Sequence, residues 1–217
     1  MDEIGLLKKD LFGEIRQITA PAGTCIERDV RSASPWIRWL ARRLLQREAR
    51  ALAALEGLDG IPDLVSVGRD TLMRMYLPGI AMQHAQPRDP AWFRKAFRLL
   101  RRMHRCGVVH NDLAKEPNLL VQDDGEPAFL DFQLAWFAPG RGRFYRTLAY
   151  EDLRHLLKHK RTYCPHHLTL REKAILANPS PVSRLWMGTV KPVYLFVTRR
   201  LIGWADREGA SDRGAQR

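Results

Sequence analysis

The sequence predicts an α+β protein in two lobes, a β-rich first part of about 78 residues and a helical second part. Three observations predict it. Short apolar stretches separated by Gly, Pro and Asp crowd the first third of the chain around one long amphipathic helix. A second amphipathic helix follows "PGIAMQHAQPRD", which reads as a loop and a hinge. After that helix come a dense polar loop, "HNDLAKEPN", and a strand–turn–strand pattern.

In chain order, "GEIRQITA" and "TCIERDV" flank the turn signal "PAG" and predict a hairpin, with a preceding strand near Leu6–Phe12. "SASPWIRWLARRLLQREARALAALEG" predicts a helix with Ser34 as N-cap, Pro35 in the first turn and Gly57 at the end. At about 100° per residue, Ile37, Ala41, Leu44, Leu45, Leu52 and Leu55 share a face. Glu48 lies at the centre of that face, where a carboxylate is costly unless a cation meets it. "IPDLVSVG" and "TLMRMYL" predict two further strands. The lobe boundary is expected near residue 78, giving an N-lobe of residues 1–78, a C-lobe of residues 79–205 and a polar tail of residues 206–217. "DPAWFRKAFRLLRRMHRCG" predicts a helix with Asp89 as N-cap, Gly107 at its end and a stripe of Phe93, Ala96, Phe97, Leu100 and Met103. "NLLV", "QDDGE" and "PAFLDF" read as strand, turn and strand. "TLAYEDLRHLLKHKR" predicts a third helix, and "SPVSRLWMGTVKPVYLFVTRRLIGW" a helical segment broken at Pro192.

Composition narrows the function classes. The 217 residues carry a net charge of +12 with three Cys (Cys25, Cys106, Cys164) in no paired spacing. A disulfide framework is not expected, and a reducing compartment is. The N-terminus "MDEIGLLKKDLFG" has no sustained apolar core of a secretory signal, and no window is long and apolar enough to span a bilayer. The basic balance points to phosphate-bearing partners or to an Arg-rich solvated surface. No zinc-finger spacing, helix-turn-helix or aromatic RNA motif accompanies it, so nucleic acid is not expected as the main partner.

The chemistry concentrates in "HNDLAKEPNLL". Asn118 precedes one strand of the predicted hairpin and Asp131 follows the other, so antiparallel pairing brings them together at the open end. Asp112 arrives on the loop feeding that end. Carboxylates and an amide oxygen are hard ligands that suit Mg²⁺ sharing phosphate oxygens.

These residues resemble the catalytic loop and metal motif of the protein kinase-like superfamily: "HNDLAKEPN" is similar to H-R-D-L-x-x-x-N, and "LDF" to the start of D-F-G. The thirteen-residue step from Asn118 to Asp131 and the order of elements resemble it too, over roughly residues 5–160. The compact C-terminal part looks most like minimal bacterial RIO-type or lipopolysaccharide-core kinases. The resemblance implies a two-lobed kinase-like fold and Mg·ATP-dependent phosphoryl transfer. It implies that Asp112 handles the acceptor hydroxyl, that Lys115 steadies the transferring phosphoryl group, and that Asn118 and Asp131 hold Mg²⁺. It implies that Glu48 holds the nucleotide-binding cation, that Asp152 props the catalytic loop, and that His110 is structural.

Four features depart from the pattern. Asn118 stands six residues after Asp112 rather than five, with Ala114 as the extra residue. Gly13 is the one glycine where a phosphate-covering loop belongs, so Lys8 or Lys9 would replace backbone cradling. The strand expected to carry a Lys reads "CIERDV", with Arg28 as its cation. Gln133 replaces the Gly of D-F-G.

The expectation is therefore an ATP- and Mg²⁺-dependent kinase whose leading acceptor is a protein Ser or Thr. The alternatives are a glycolipid sugar of the lipopolysaccharide type and a nucleotide-binding pseudokinase. The expected location is cytoplasmic, with peripheral contact at an anionic membrane through "VKPVYLFVTRRLIGW" as a variant reading. His155, His159, Cys164, His166 and His167 are a weaker candidate for zinc, opposed by Lys158 and Lys160.

Overall fold

The computed structural model describes residues 2–178. Its first part is a five-stranded antiparallel sheet in the order β1-β2-β3-β5-β4. The strands are β1 (Asp2–Asp10), β2 (Gly13–Ala20), β3 (Gly23–Asp29), β4 (Leu64–Val67) and β5 (Thr71–Met75). The β1–β2 turn needs Gly13: its φ is +126°, and a Cβ there would stand 2.2 Å from the Asp29 carbonyl oxygen.

Helix α1 (Arg38–Ala54) crosses one face of this sheet. It starts later than the sequence implies. The Ser34 carbonyl accepts the N–H groups of Ile37 and Arg38, so the predicted cap residue heads a turn and not the helix itself. Ala41, Leu45, Glu48, Ala49, Ala51 and Leu52 form its buried face. On the opposite face of the sheet, Ile18, Ala20 and Cys25 make a small second cluster under Met73 and Met75.

The chain leaves the sheet at Met75. The stretch read as a hinge loop contains two short elements, β6 (Ile80–Ala81) and α2 (Met82–Ala85). β6 pairs with β8 (Leu119–Val121), which pairs in turn with β9 (Pro127–Phe129). These pieces are too short to carry a periodic signal. Helix α3 (Pro90–Arg105) begins as expected: the Asp89 side chain accepts from the Ala91 N–H at 2.7 Å, with Pro90 next. Its buried residues, Trp92, Phe93, Ala96, Leu99, Leu100 and Met103, join those of α1 in one core with Leu113, Leu119, Phe129 and Phe132. A core that runs through both parts holds the 109–118 loop region against the sheet.

Two-residue strands β7 (Val108–Val109) and β10 (Trp136–Phe137) pair antiparallel on either side of the loop region. Helix α4 (Arg143–Tyr163) is longer at both ends than the sequence pattern predicts. Helix α5 (Leu170–Ala177) follows, with a capping box of Thr169 and Glu172, a sequence signal that was there to be read. The Lys160 ammonium pins α4 to α5 through Glu172 at 2.7 Å. The segment broken at Pro192 and the polar tail lie outside the described residues. Among the described residues, no helix is long and apolar enough to cross a membrane.

Candidate functional site

The loop Val109–Asn118 is held from beneath by α4. Asp152 is fully buried in the middle of that helix. Its two oxygens accept the backbone N–H groups of His110 (2.7 Å) and Asn111 (2.9 Å), and His104 Nε2 lies 3.2 Å away. Its place in mid-helix puts it under the loop and away from the α4 N-terminus. His110 is buried as well. Its Nε2 faces the Leu130 carbonyl at 2.8 Å, and the Asp112 N–H points at its Nδ1 at 3.3 Å. The ring lies against Phe132, with centroids 4.6 Å apart.

The extra residue in this loop is absorbed by two consecutive turns. Lys115 N–H donates to the Asp112 carbonyl, and Asn118 N–H to the Lys115 carbonyl. Glu116 is buried between them, accepting from the Tyr163 hydroxyl at 2.7 Å. The loop is thus longer than the pattern, yet anchored at both ends by α4.

Three side chains meet on it. Asn118 Nδ2 donates to the Asp112 carboxylate at 3.0 Å and to its carbonyl at 2.9 Å. Lys115 Nζ stands 3.1 Å from the same carboxylate. The predicted convergence of Asn118 and Asp131 also appears: Leu130 N–H donates to the Asn118 carbonyl where the β8–β9 hairpin opens, one residue before Asp131. Asp131 has φ +62°, a turn conformation that Asp tolerates. Gln133, in place of a glycine, donates to Asp131 Oδ1 at 2.8 Å, a contact the sequence did not suggest.

The two aspartates sit in different fields. Burial pushes the Asp112 carboxyl above its ordinary value, helped by the charge of Asp131 and opposed by Lys115 and Asn118. Burial acts in the same direction on Asp131, but Arg28, then Gln133, His110 and Lys115, outweigh it and hold that carboxyl below its ordinary value. Environments that push two carboxyls apart suit one group for proton handling and the other for permanent charge.

Across from the loop, the sheet presents Arg28. Its Nε is 3.2 Å from Glu48 Oε2 and its Nη2 is 3.8 Å from Asp131 Oδ1, so one guanidinium spans the α1 carboxylate and the hairpin aspartate. The sequence missed a second cation. Arg74 Nε stands 3.5 Å from Glu48 Oε1. Strand register explains it: Ile26 faces Arg74 and Arg28 faces Leu72, so all four share the face turned to α1. Period-two reading from buried Leu72 would have found Arg74. Glu48 is completely buried, and both its oxygens meet guanidinium groups as ion pairs without an aligned hydrogen bond. Burial drives the Arg74 pKa down, with Glu48 opposing.

The donor set fits Mg²⁺ and a nucleotide phosphate. Asn118 spends its amide nitrogen on Asp112, leaving its carbonyl oxygen for a cation, and Asp131 keeps Oδ2. Among the described residues no group of three or more His, Cys, Asp or Glu could hold a metal by itself. A site of one carboxylate and one amide oxygen, completed by phosphate and water, is the usual Mg²⁺ arrangement. Lys8 and Lys9 do not reach out as free cations: Lys8 pairs with Asp10 at 3.5 Å and Lys9 with Glu14 at 2.8 Å. Two of the five zinc candidates are engaged elsewhere. His159 Nε2 faces the Leu113 carbonyl at 2.8 Å, and Cys164 Sγ the Arg88 carbonyl at 3.0 Å.

The RIO domain family model matches residues 26–136. That span contains Arg28, Glu48, Asp112, Lys115, Asn118 and Asp131. Among solved structures, the crystal structure of the Rio2 kinase from Chaetomium thermophilum aligns with a TM-score of 0.61. The alignment covers 87% of this chain and 68% of that one, at 14% identity, a likeness of fold. No curated protein sequence matches the chain.

Proposed function

The chain belongs to the RIO domain family, and from that premise we propose that it is a Mg·ATP-dependent phosphotransferase acting on a hydroxyl group, with a protein Ser or Thr as the leading acceptor. The observation that carries the proposal is the joined group of Asp112, Lys115 and Asn118 facing Asp131, with Arg28 spanning Asp131 and Glu48.

In this reading residues 2–78 form the nucleotide-side lobe and residues 79–178 the described part of the acceptor-side lobe. Asn118 and Asp131 hold Mg²⁺, which when bound neutralises phosphate charge. Asp112 orients the acceptor hydroxyl and takes its proton, its raised pKa making it a better base than an ordinary aspartate. Lys115, 3.1 Å from Asp112, supplies positive charge where the phosphoryl group passes. Arg28 places a fork of donors at the phosphates, while Glu48 fixes its position. Catalysis is then chiefly positioning and charge neutralisation. A cytoplasmic location goes with this reading, since the described cysteines are all free thiols.

One observation favours the second reading, a nucleotide-binding pseudokinase. Arg28 stands where a Lys is expected and lies 3.8 Å from the proposed metal-binding carboxylate. The test is phosphate transfer from labelled ATP to protein acceptors by wild type and by Asp112→Asn. Transfer by wild type alone supports the kinase. ATP binding without transfer by either supports the pseudokinase.

A further inference from the structure

Behind the catalytic loop, on the outer side of α1, lies a groove of about 1030 Å³. One wall is α1 itself, which sets Trp39, Arg43, Arg47 and Arg50 along it at helical spacing. The other wall carries Trp136 and Phe144, whose rings are 5.2 Å apart. The groove reaches the catalytic loop at Asn111, which donates to the Leu134 carbonyl at 3.0 Å.

Its charge is one-sided. Among the described residues, no acidic side chain lines it. Arg42, on its rim, is paired with Asp70. Arg47 donates to the backbone carbonyls of Leu134 and Ala135, which neutralise no charge. Arg43 and Arg50 are exposed and pair with no carboxylate among the described residues. The groove is therefore a run of guanidinium groups interleaved with aromatic faces, and Trp39 and Phe144 keep more than half their surface open (63% and 56%).

We propose that this groove binds single-stranded nucleic acid, its arginines tracking the phosphates and its aromatic faces stacking the bases. Among the described residues every cation in it is Arg, whose planar fork pairs with phosphate and stacks on rings where Lys is only a point charge. Steps of three and four residues along a helix separate neighbouring side chains by about 5–6 Å, a spacing that suits successive charges of an extended strand. A positively charged groove with stacking aromatics is the general solution for single strands, whose bases are free to stack. An acidic peptide would satisfy the charge but would leave the three aromatic faces without a role. The net charge of +12 supports long-range attraction of such a polyanion. Net charge alone was no argument for this partner; the groove is a separate observation, and it does not depend on phosphoryl transfer.

The test is fluorescence anisotropy with a labelled single-stranded oligouridine of about 10 nucleotides, at several salt concentrations. The expected dissociation constant is on the order of 10⁻⁵ M or lower near 0.15 M salt. Three phosphate contacts predict a slope of about −2 in log K against log salt. Arg43→Glu with Arg50→Glu should weaken binding at least tenfold and flatten the slope to about −0.7, while Mg·ATP binding stays unchanged. Trp39→Ala should weaken it about tenfold with the slope unchanged. Equal affinity for duplex DNA of the same length, or indifference to both variants, would overturn the proposal. So would failure to bind oligouridine where a poly-glutamate peptide or a phosphorylated glycan binds in an Arg43- and Arg50-dependent way.

Discussion

Replacing Glu48 by Gln removes the fully buried charge of an ion cluster and changes almost no volume. Glu48 is 0% exposed, and Arg28 and Arg74, each 12% exposed, face its two oxygens at 3.2 and 3.5 Å. Without the carboxylate, two partly desolvated guanidinium groups share Asp131 as their remaining acid, and Asp131 is 3.8 Å from Arg28. Breaking a buried pair while leaving its partners in place costs about 3–5 kcal/mol. For a chain of this size that is a fall in melting temperature of about 6–20 °C, read by thermal unfolding. The cost should shrink in Glu48→Gln combined with Arg74→Met, because one stranded cation leaves with its partner. The double variant should then melt above the single one, a coupling that distant residues do not show. A Glu48→Gln protein melting within about 2 °C of wild type, a change of no more than about 1 kcal/mol, would refute the reasoning. It would mean that water or another acid already satisfies both arginines.

Asp112→Asn should keep Mg·ATP binding and lower the transfer rate by at least about 100-fold, since it removes the base and spares the proposed metal ligands; a rate within tenfold of wild type would exclude that role. Gly13→Ala should destabilise the β1–β3 ribbon by at least about 1–3 kcal/mol, because the new Cβ meets the Asp29 carbonyl at a backbone angle that L-residues avoid; an unchanged denaturation midpoint would contradict the turn geometry. His155, partly buried on α4, makes the fold acid-sensitive. Burial, then the charge of Lys158, lowers its pKa to about 4, and its Nδ1 lacks a hydrogen-bond partner. The unfolded chain takes up the proton near 6.5, so stability is full above that pH and falls as the pH drops from 6.5 toward 4. The loss is on the order of 3 kcal/mol, and His155→Leu should flatten the wild-type decline in that window; parallel curves would count against it.

Much of the site was legible because its chemistry is local in sequence. Asp112, Lys115 and Asn118 lie within seven residues, and hairpin pairing alone brings Asn118 toward Asp131. Glu48 announced a partner because a carboxylate on an apolar helix face must have one, and Arg28 in a neighbouring strand was the available cation. Arg74 was hidden because the strand "TLMRMYL" was read for its type and not for which residues share a face. Gln133 showed in the sequence only as a departure from D-F-G, yet its amide is a donor that holds Asp131. Asp152 could be placed on a helix, but its contact with the loop spans about forty residues and needs the packing of α4. The Arg and Trp groove is assembled from α1, the loop at Asn111, β10 and α4. In the sequence those residues look like separate exposed side chains.

Everything proposed for the site rests on Asn118 and Asp131 binding a metal for a bound nucleotide. Calorimetric titration of ATP with and without Mg²⁺, into wild type and Asp131→Asn, tests it most directly. Binding that requires Mg²⁺ in wild type and is lost in Asp131→Asn is the predicted result. Binding that is indifferent to Mg²⁺ or to the substitution, or no binding in any condition, would contradict it.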